Sequence, residues 1–158
     1  MVNWEGTGLS VLELPFTSDE YRALAARTEA DLRALLDIPA DYRVLFLHGG
    51  AYAHMGLLAM NLLDAGQSAD YVITGHWSQR AAAEARRFGR VRVAASNLED
   101  GCRDIPPPAT WRLDPAAAYC HITTNETADG VQFHDTPDTG DVPLVADMTS
   151  DFLSRPVP

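Results

Sequence analysis

The sequence predicts an α/β fold, a three-layer α/β/α sandwich around a mainly parallel sheet. Two observations carry that expectation. Short apolar runs of strand type alternate with segments of helical periodicity, the order that βαβ units produce. The runs are also nearly continuous in apolar residues, as at 44–47, which is what a sheet buried on both faces requires.

The elements follow in order. Thr17-Ser18-Asp19-Glu20 has the form of a capping box, with Thr17 as N-cap and Glu20 reaching back to its N–H. Behind it Tyr21, Leu24, Ala25, Thr28, Leu32, Leu35 and Leu36 recur at helical spacing, and Pro39 ends the run. Residues 43–48 read as a strand closed by Gly49-Gly50, and residues 51–63 as a helix rich in Ala, Leu and Met. A second unit repeats this order: strand 70–74, turn Gly75-His76-Trp77, helix 78–88 and a stop at Gly89. Residues 90–95 form a third strand. Residues 97–115 read as a long connection, because Pro106, Pro107 and Pro108 remove backbone donors. Residues 117–123 and 143–147 are two further strands, and no helix follows the last, so the sheet is expected to be unfinished there.

Composition bounds the chemistry. The chain has 158 residues, consistent with one domain, and 22 acidic against 12 basic residues give a net charge of −10. That sign argues against nucleic-acid and anionic-membrane partners, which need a positive field. All 12 basic residues are arginine, so every mechanism needing a side-chain ε-amine is excluded from these residues. Cys102 and Cys120 form no C-x-x-C pair, and the start Met1-Val-Asn-Trp-Glu has no signal-peptide character; a cytoplasmic address is expected. The five histidines match no zinc spacing, and no G-x-S-x-G elbow occurs, so neither a metal site nor a Ser-His-Asp site is expected.

In this architecture ligands bind beyond the carboxyl ends of the strands. Gly49-Gly50-Ala51 stands there as either a tight turn or a phosphate cradle at a helix start. Asp147 is either a helix cap or surface-loop residue, or a carboxylate awaiting a cationic partner or a ligand nitrogen. Trp77 is either core or a stacking surface. Asn125, Glu126 and Thr127 read as turn residues, and residues 80–87 as a solvated helix face.

Five stretches together resemble phosphoserine aminotransferases, of the class V, fold type I pyridoxal-phosphate enzymes. They are Trp4-Glu-Gly-Thr-Gly8-Leu-Ser-Val-Leu-Glu13, Tyr42-Arg-Val-Leu-Phe-Leu-His-Gly-Gly50, Ala69-Asp-Tyr-Val-Ile-Thr-Gly-His-Trp77, His121-Ile-Thr-Thr-Asn-Glu-Thr127 and Val142-Pro-Leu-Val-Ala-Asp147-Met-Thr-Ser-Asp-Phe-Leu-Ser-Arg-Pro156. The resemblance implies that Ala51 and Tyr52 hold the cofactor phosphate and that Trp77 stacks on the pyridine ring. It implies that Thr127 lies beside the ring's phenolic oxygen and that Asp147 keeps the pyridine nitrogen protonated. It further implies a homodimer acting on an amino acid and a phosphorylated oxo acid.

Residues 1–158 are then expected to be a partial large domain. The family's opening segment, its small C-terminal domain and its Schiff-base lysine fall outside them, and no catalytic residue is assigned. The family's His-Arg pair for a substrate carboxylate is replaced by Phe16 and Thr17. Without lysine the chain alone is expected to be inactive. The alternative is a non-catalytic domain that binds pyridoxal phosphate, another phosphorylated small molecule or a partner chain.

Overall fold

The structure, a computed structural model, describes residues 3–156. It divides into two compact units, Met1–Phe46 and Leu47–Pro158. In the first, two short 3-10 turns precede helix α1 (Asp19–Leu36). The N-cap of α1 is Ser18, not Thr17: its Oγ accepts the Tyr21 N–H at 3.2 Å from an extended backbone. A capping box does form, but at the second 3-10 turn, where Ser10 and Glu13 satisfy each other's backbone N–H groups. After α1 the Arg33 guanidinium donates to the carbonyls of Pro39 and Tyr42, tying down the departing chain.

The strand expected at 43–48 does not form. Residues 43–47 carry no strand pairing, and Leu45, Phe46 and Leu47 are 71%, 60% and 64% exposed. Apolar, β-prone composition supplies only a preference; a strand also needs a neighbouring backbone for its N–H and C=O groups. Among the described residues this segment has none.

The second unit contains α2 (Gly50–Leu62), β1 (Ser68–Ile73), α3 (His76–Ala85), β2 (Arg90–Ser96), β3 (Cys120–Thr123), β4 (Asn125–Glu126), β5 (Val131–Gln132) and β6 (Leu144–Asp147). Four strands form a wholly parallel sheet in the order β2-β1-β3-β6, and β4 and β5 form a separate antiparallel pair. Burial follows strand order: β1 and β3 are buried throughout, whereas β2 and β6 at the edges are half-covered. The unit β1-α3-β2 is the expected parallel crossover.

One face of the sheet carries the helices. Met55 and Ala59 of α2 and Ala81, Ala82 and Ala85 of α3 pack with Ala69, Tyr71, Ile73 and Tyr119. The alanines let the helix backbones approach closely. On the other face, irregular chain does the covering: Trp111, Ala117, Phe133 and Val142 pack over Val72, Cys120 and Ile122. The prolines at 106–108 leave only a short 3-10 turn, Pro108–Thr110, and the Trp111 indole donates to the Pro106 carbonyl at 2.9 Å. Toward the amino ends of the strands, buried Asp70 meets Arg92 at 3.0 Å and accepts the Asp114 N–H at 2.6 Å. The α/β class thus holds, with a parallel sheet whose carboxyl ends are free to build a site. Among the described residues no helix is long and apolar enough to cross a membrane.

Candidate functional site

Two helices of the second unit start at the carboxyl-end side of the sheet, and their N-termini differ. Gly49, the N-cap of α2, sits at φ 108, and a Cβ there would lie 2.8 Å from the Ala53 Cβ. The turn therefore requires glycine on both conformational and steric grounds. No side chain caps α2, and its first turn holds no acid, so its leading N–H groups and positive dipole end remain available to an anion.

Helix α3 begins at His76, two residues earlier than the periodicity indicates, which puts Trp77 in its first turn. Its N-terminus is already satisfied. Glu126 accepts the N–H groups of Trp77 (2.7 Å) and Ser78 (2.8 Å), and Asp129 accepts that of His76 (2.7 Å). The anion-binding capacity of α3 is thus consumed from within, leaving that of α2.

Ala51, Tyr52, Trp77, Thr127 and Asp147 all line one cavity of about 250 Å³. The Tyr52 and Trp77 rings meet edge to face at 5.8 Å, and Arg80 lies 5.4 Å over the Tyr52 ring. The Trp77 indole N–H donates to Thr127 Oγ1 at 2.9 Å, which leaves the Thr127 hydroxyl hydrogen free for another acceptor. Asp147 Oδ1 accepts both the N–H and the hydroxyl of Thr149. Among the described residues Oδ2 accepts nothing, so Asp147 is a turn former at one oxygen and an open acceptor at the other. Thr123 also lines the cavity, and its buried hydroxyl has no partner among the described residues.

A neighbouring cavity of about 380 Å³ shares Ala51, Met55 and Asp147 and is lined by His121. The His121 ring stacks on Tyr71 at 4.7 Å and 17°, and its Nδ1 is buried without a partner. Burial pushes its pKa down to about 4, against the opposing pull of Asp147. It is a neutral ring beside the site. Tyr71 and Tyr119 share a 2.9 Å hydroxyl–hydroxyl hydrogen bond below it, and burial raises both phenols.

The structure therefore brings together five of the seven singled-out residues. Phe16 and Thr17 belong to the first unit, in the turn before α1, with Phe16 77% exposed. Of residues 80–87 only the charged side chains form the expected solvated face, with Glu84 paired to Arg80 and Arg87 at 3.0 Å each, whereas Ala81, Ala82 and Ala85 face the core. Glu126 was missed: it is not a turn residue but lies in β4, fully buried. No sequence signal marked it, since α2 and α3 both start without an acid of their own and only α3 is capped by acids from elsewhere.

Comparisons with known proteins bear on the family and the fold. The chain matches the aminotransferase class-V family over residues 4–158. It is 52% identical over 157 residues to a phosphoserine aminotransferase of Laribacter hongkongensis (strain HLHK9), which spans 99% of this chain and 44% of that relative. To the Azotobacter vinelandii phosphoserine aminotransferase it is 53% identical over 156 residues, 99% of this chain and 43% of the relative. Among solved structures, the phosphoserine aminotransferase of Bacillus circulans subsp. alkalophilus superposes with a TM-score of 0.93 at 43% identity, over 99% of this chain and 44% of that one. A PLP-bound phosphoserine aminotransferase from Trichomonas vaginalis gives 0.90 at 33% identity, over 100% and 44%. The chain thus spans less than half the length of these relatives.

Proposed function

The chain belongs to the aminotransferase class-V family, and from that premise we propose that it forms the cofactor-cradling part of a pyridoxal-phosphate-dependent phosphoserine aminotransferase. The reaction exchanges an amino group between L-glutamate and 3-phosphohydroxypyruvate, giving O-phospho-L-serine and 2-oxoglutarate, a step of serine biosynthesis. One observation carries the reading: four separate stretches of sequence, at 51–52, 77, 127 and 147, deliver to one cavity the residue types that pyridoxal phosphate needs.

The residues fit the group. An uncapped helix start meets a phosphate, an indole meets an aromatic ring, and a carboxylate with one open oxygen meets a ring nitrogen. When bound, pyridoxal phosphate supplies an electron sink for moving an amino group. The leading N–H groups of α2, at Ala51 and Tyr52, would hold the phosphate, and Trp77 would stack on the ring. Thr127 would donate its free hydroxyl hydrogen to a ring oxygen, and Asp147 would hold a proton at the ring nitrogen through Oδ2.

These residues contain no lysine, so the hold they exert is non-covalent. Titration of the chain with pyridoxal phosphate, followed by absorbance and tryptophan fluorescence, tests the reading. Saturable binding is expected, and Trp77→Ala and Asp147→Ala should each weaken it about tenfold or more, ~1.4 kcal/mol. Binding that neither substitution changes would sink it. The Phe16-Thr17 replacement favours a second reading, a non-catalytic domain for a phosphorylated molecule. Under that reading inorganic phosphate competes as well as the full cofactor does.

The assembly is proposed as a homodimer, supported by the exposed apolar side chains of Leu45, Phe46 and Leu47 and, on α2, of Tyr52, Leu57 and Met60. A cytoplasmic address is supported by two free thiols, Cys102 and Cys120.

A further inference from the structure

We propose that Glu126, seconded by Asp129, is a positioning residue that sets the Trp77 indole within the cavity. Glu126 is fully buried, and among the described residues no cation pairs with it. A buried carboxylate is costly unless several donors satisfy it. Its donors are all in one place. Oε2 accepts the Trp77 N–H at 2.7 Å, and Oε1 accepts the Ser78 N–H at 2.8 Å and the Thr74 hydroxyl at 3.4 Å. Asp129 Oδ2 adds the His76 N–H at 2.7 Å, so three successive amides are clamped by two acids of one hairpin.

A helix is ordinarily capped by the residue before it. Here that residue is Gly75, and no side chain fits: a Cβ would lie 2.3 Å from Asp129 Oδ2 and 2.8 Å from Glu126 Cδ. The cap instead comes from β4 and its turn, some fifty positions along the chain, which couples the first turn of α3 to that hairpin. The residue after Glu126 is Thr127, whose Oγ1 accepts the Trp77 indole N–H at 2.9 Å. Trp77 is thus held at its backbone by Glu126 and at its ring by the next residue. Two anchors on one short segment fix where the side chain leaves the helix and where its ring ends. A cap serving helix stability alone would need neither to grip Trp77 nor to adjoin Thr127.

For the cofactor this inference rests on the function proposed above; for the indole it stands by itself. The experiment separates the two. The ¹⁵N-labelled chain is examined without ligand, the Trp77 indole N–H being assigned from Trp77→Phe and the indoles of Trp4 and Trp111 serving as internal controls. Glu126→Gln keeps the shape but turns an amide NH₂ toward backbone donors. It should shift the Trp77 indole resonance and speed its hydrogen exchange at least tenfold, leaving Trp4 and Trp111 in place. Asp129→Asn should do the same to a smaller degree, and it decides alone where Glu126→Gln does not fold. The dissociation constant for pyridoxal phosphate should rise about tenfold in Glu126→Gln. A Trp77 signal unmoved in the folded variants, or one moving no more than those of Trp4 and Trp111, overturns the positioning role. A wild-type chain that fails to bind pyridoxal phosphate overturns the functional reading instead, and the ligand-free spectra still decide the role of Glu126.

Discussion

His121 has almost no access to water, stacks on Tyr71 and leaves Nδ1 without a partner, so protonation there places a charge where nothing solvates it. Its pKa falls from 6.5 to about 4 for that reason, Asp147 only partly offsetting the burial. The unfolded chain therefore binds more protons than the folded one between those values. The stability linked to His121 is complete above pH 6.5 and is lost as pH falls through about 4, with a ceiling of about 3 kcal/mol. Urea unfolding at a series of pH values should show this loss in wild type and a clearly flatter profile in His121→Phe, which keeps the stack; parallel profiles would refute it. Asp70 acts with the opposite sign. Burial raises its pKa against the pull of Arg92, so its contribution is largest at low pH and declines as pH rises through the folded value. Asp147 and Trp77 stand out in the sequence as a carboxylate and an indole at strand ends, but chemistry alone left each open between a structural and a ligand role, and the family resemblance made the choice. Glu126 did not stand out, since its importance lies in a helix start about fifty residues away that only the fold brings to it.

Among the elements, the parallel strands read correctly because burial on two faces writes itself into the sequence as unbroken apolar runs, as at Tyr71–Ile73 in β1. The run at 44–47 has the same composition and fails, because a ladder partner is a property of the neighbour and not of the run. The boundary errors have local causes. Ser18 rather than Thr17 caps α1 because its extended backbone aims Oγ at Tyr21, and α3 starts two residues early because acids of the β4–β5 hairpin satisfy its first amides, while it ends at Ala85, three residues short of the expected 88. The join between that hairpin and α3 makes a sharp prediction. Gly75 sits at φ 173, an extended conformation open to any residue, so Gly75→Ala acts through crowding alone. Forcing a methyl group against Asp129 Oδ2 and Glu126 should cost about 1–3 kcal/mol in urea unfolding. In an Asp129→Ala background the same substitution should cost distinctly less, because the nearest atom is gone. Strict additivity would mean that Asp129 is not the obstacle.

At the scale of the molecule, the proposed cofactor bed lies within these residues, and none of their side chains is an amine that could bond the cofactor. The bed is a product of the fold: α2 offers an uncapped start, α3 presents Trp77, and β6 ends in Asp147, all on one cavity. Bonding needs a nucleophilic amine, and the 12 basic side chains are all arginine, whose guanidinium stays protonated and does not condense with an aldehyde. The buried phenols and thiols offer no substitute: burial pushes Cys120 up to about 12 and raises Tyr71 and Tyr119, so all three stay protonated at neutral pH. Borohydride reduction of the chain with saturating pyridoxal phosphate, followed by peptide mapping, should therefore yield no stoichiometric adduct at any internal residue. The α-amino group at residue 1 is left out of the map, so that Trp77→Ala and Asp147→Ala report on internal residues alone. Reversible binding that those substitutions weaken, together with an empty internal map, is the joint result expected of a non-covalent bed. An internal adduct that Trp77→Ala abolishes would show instead that the cavity activates a group this chemistry rules out.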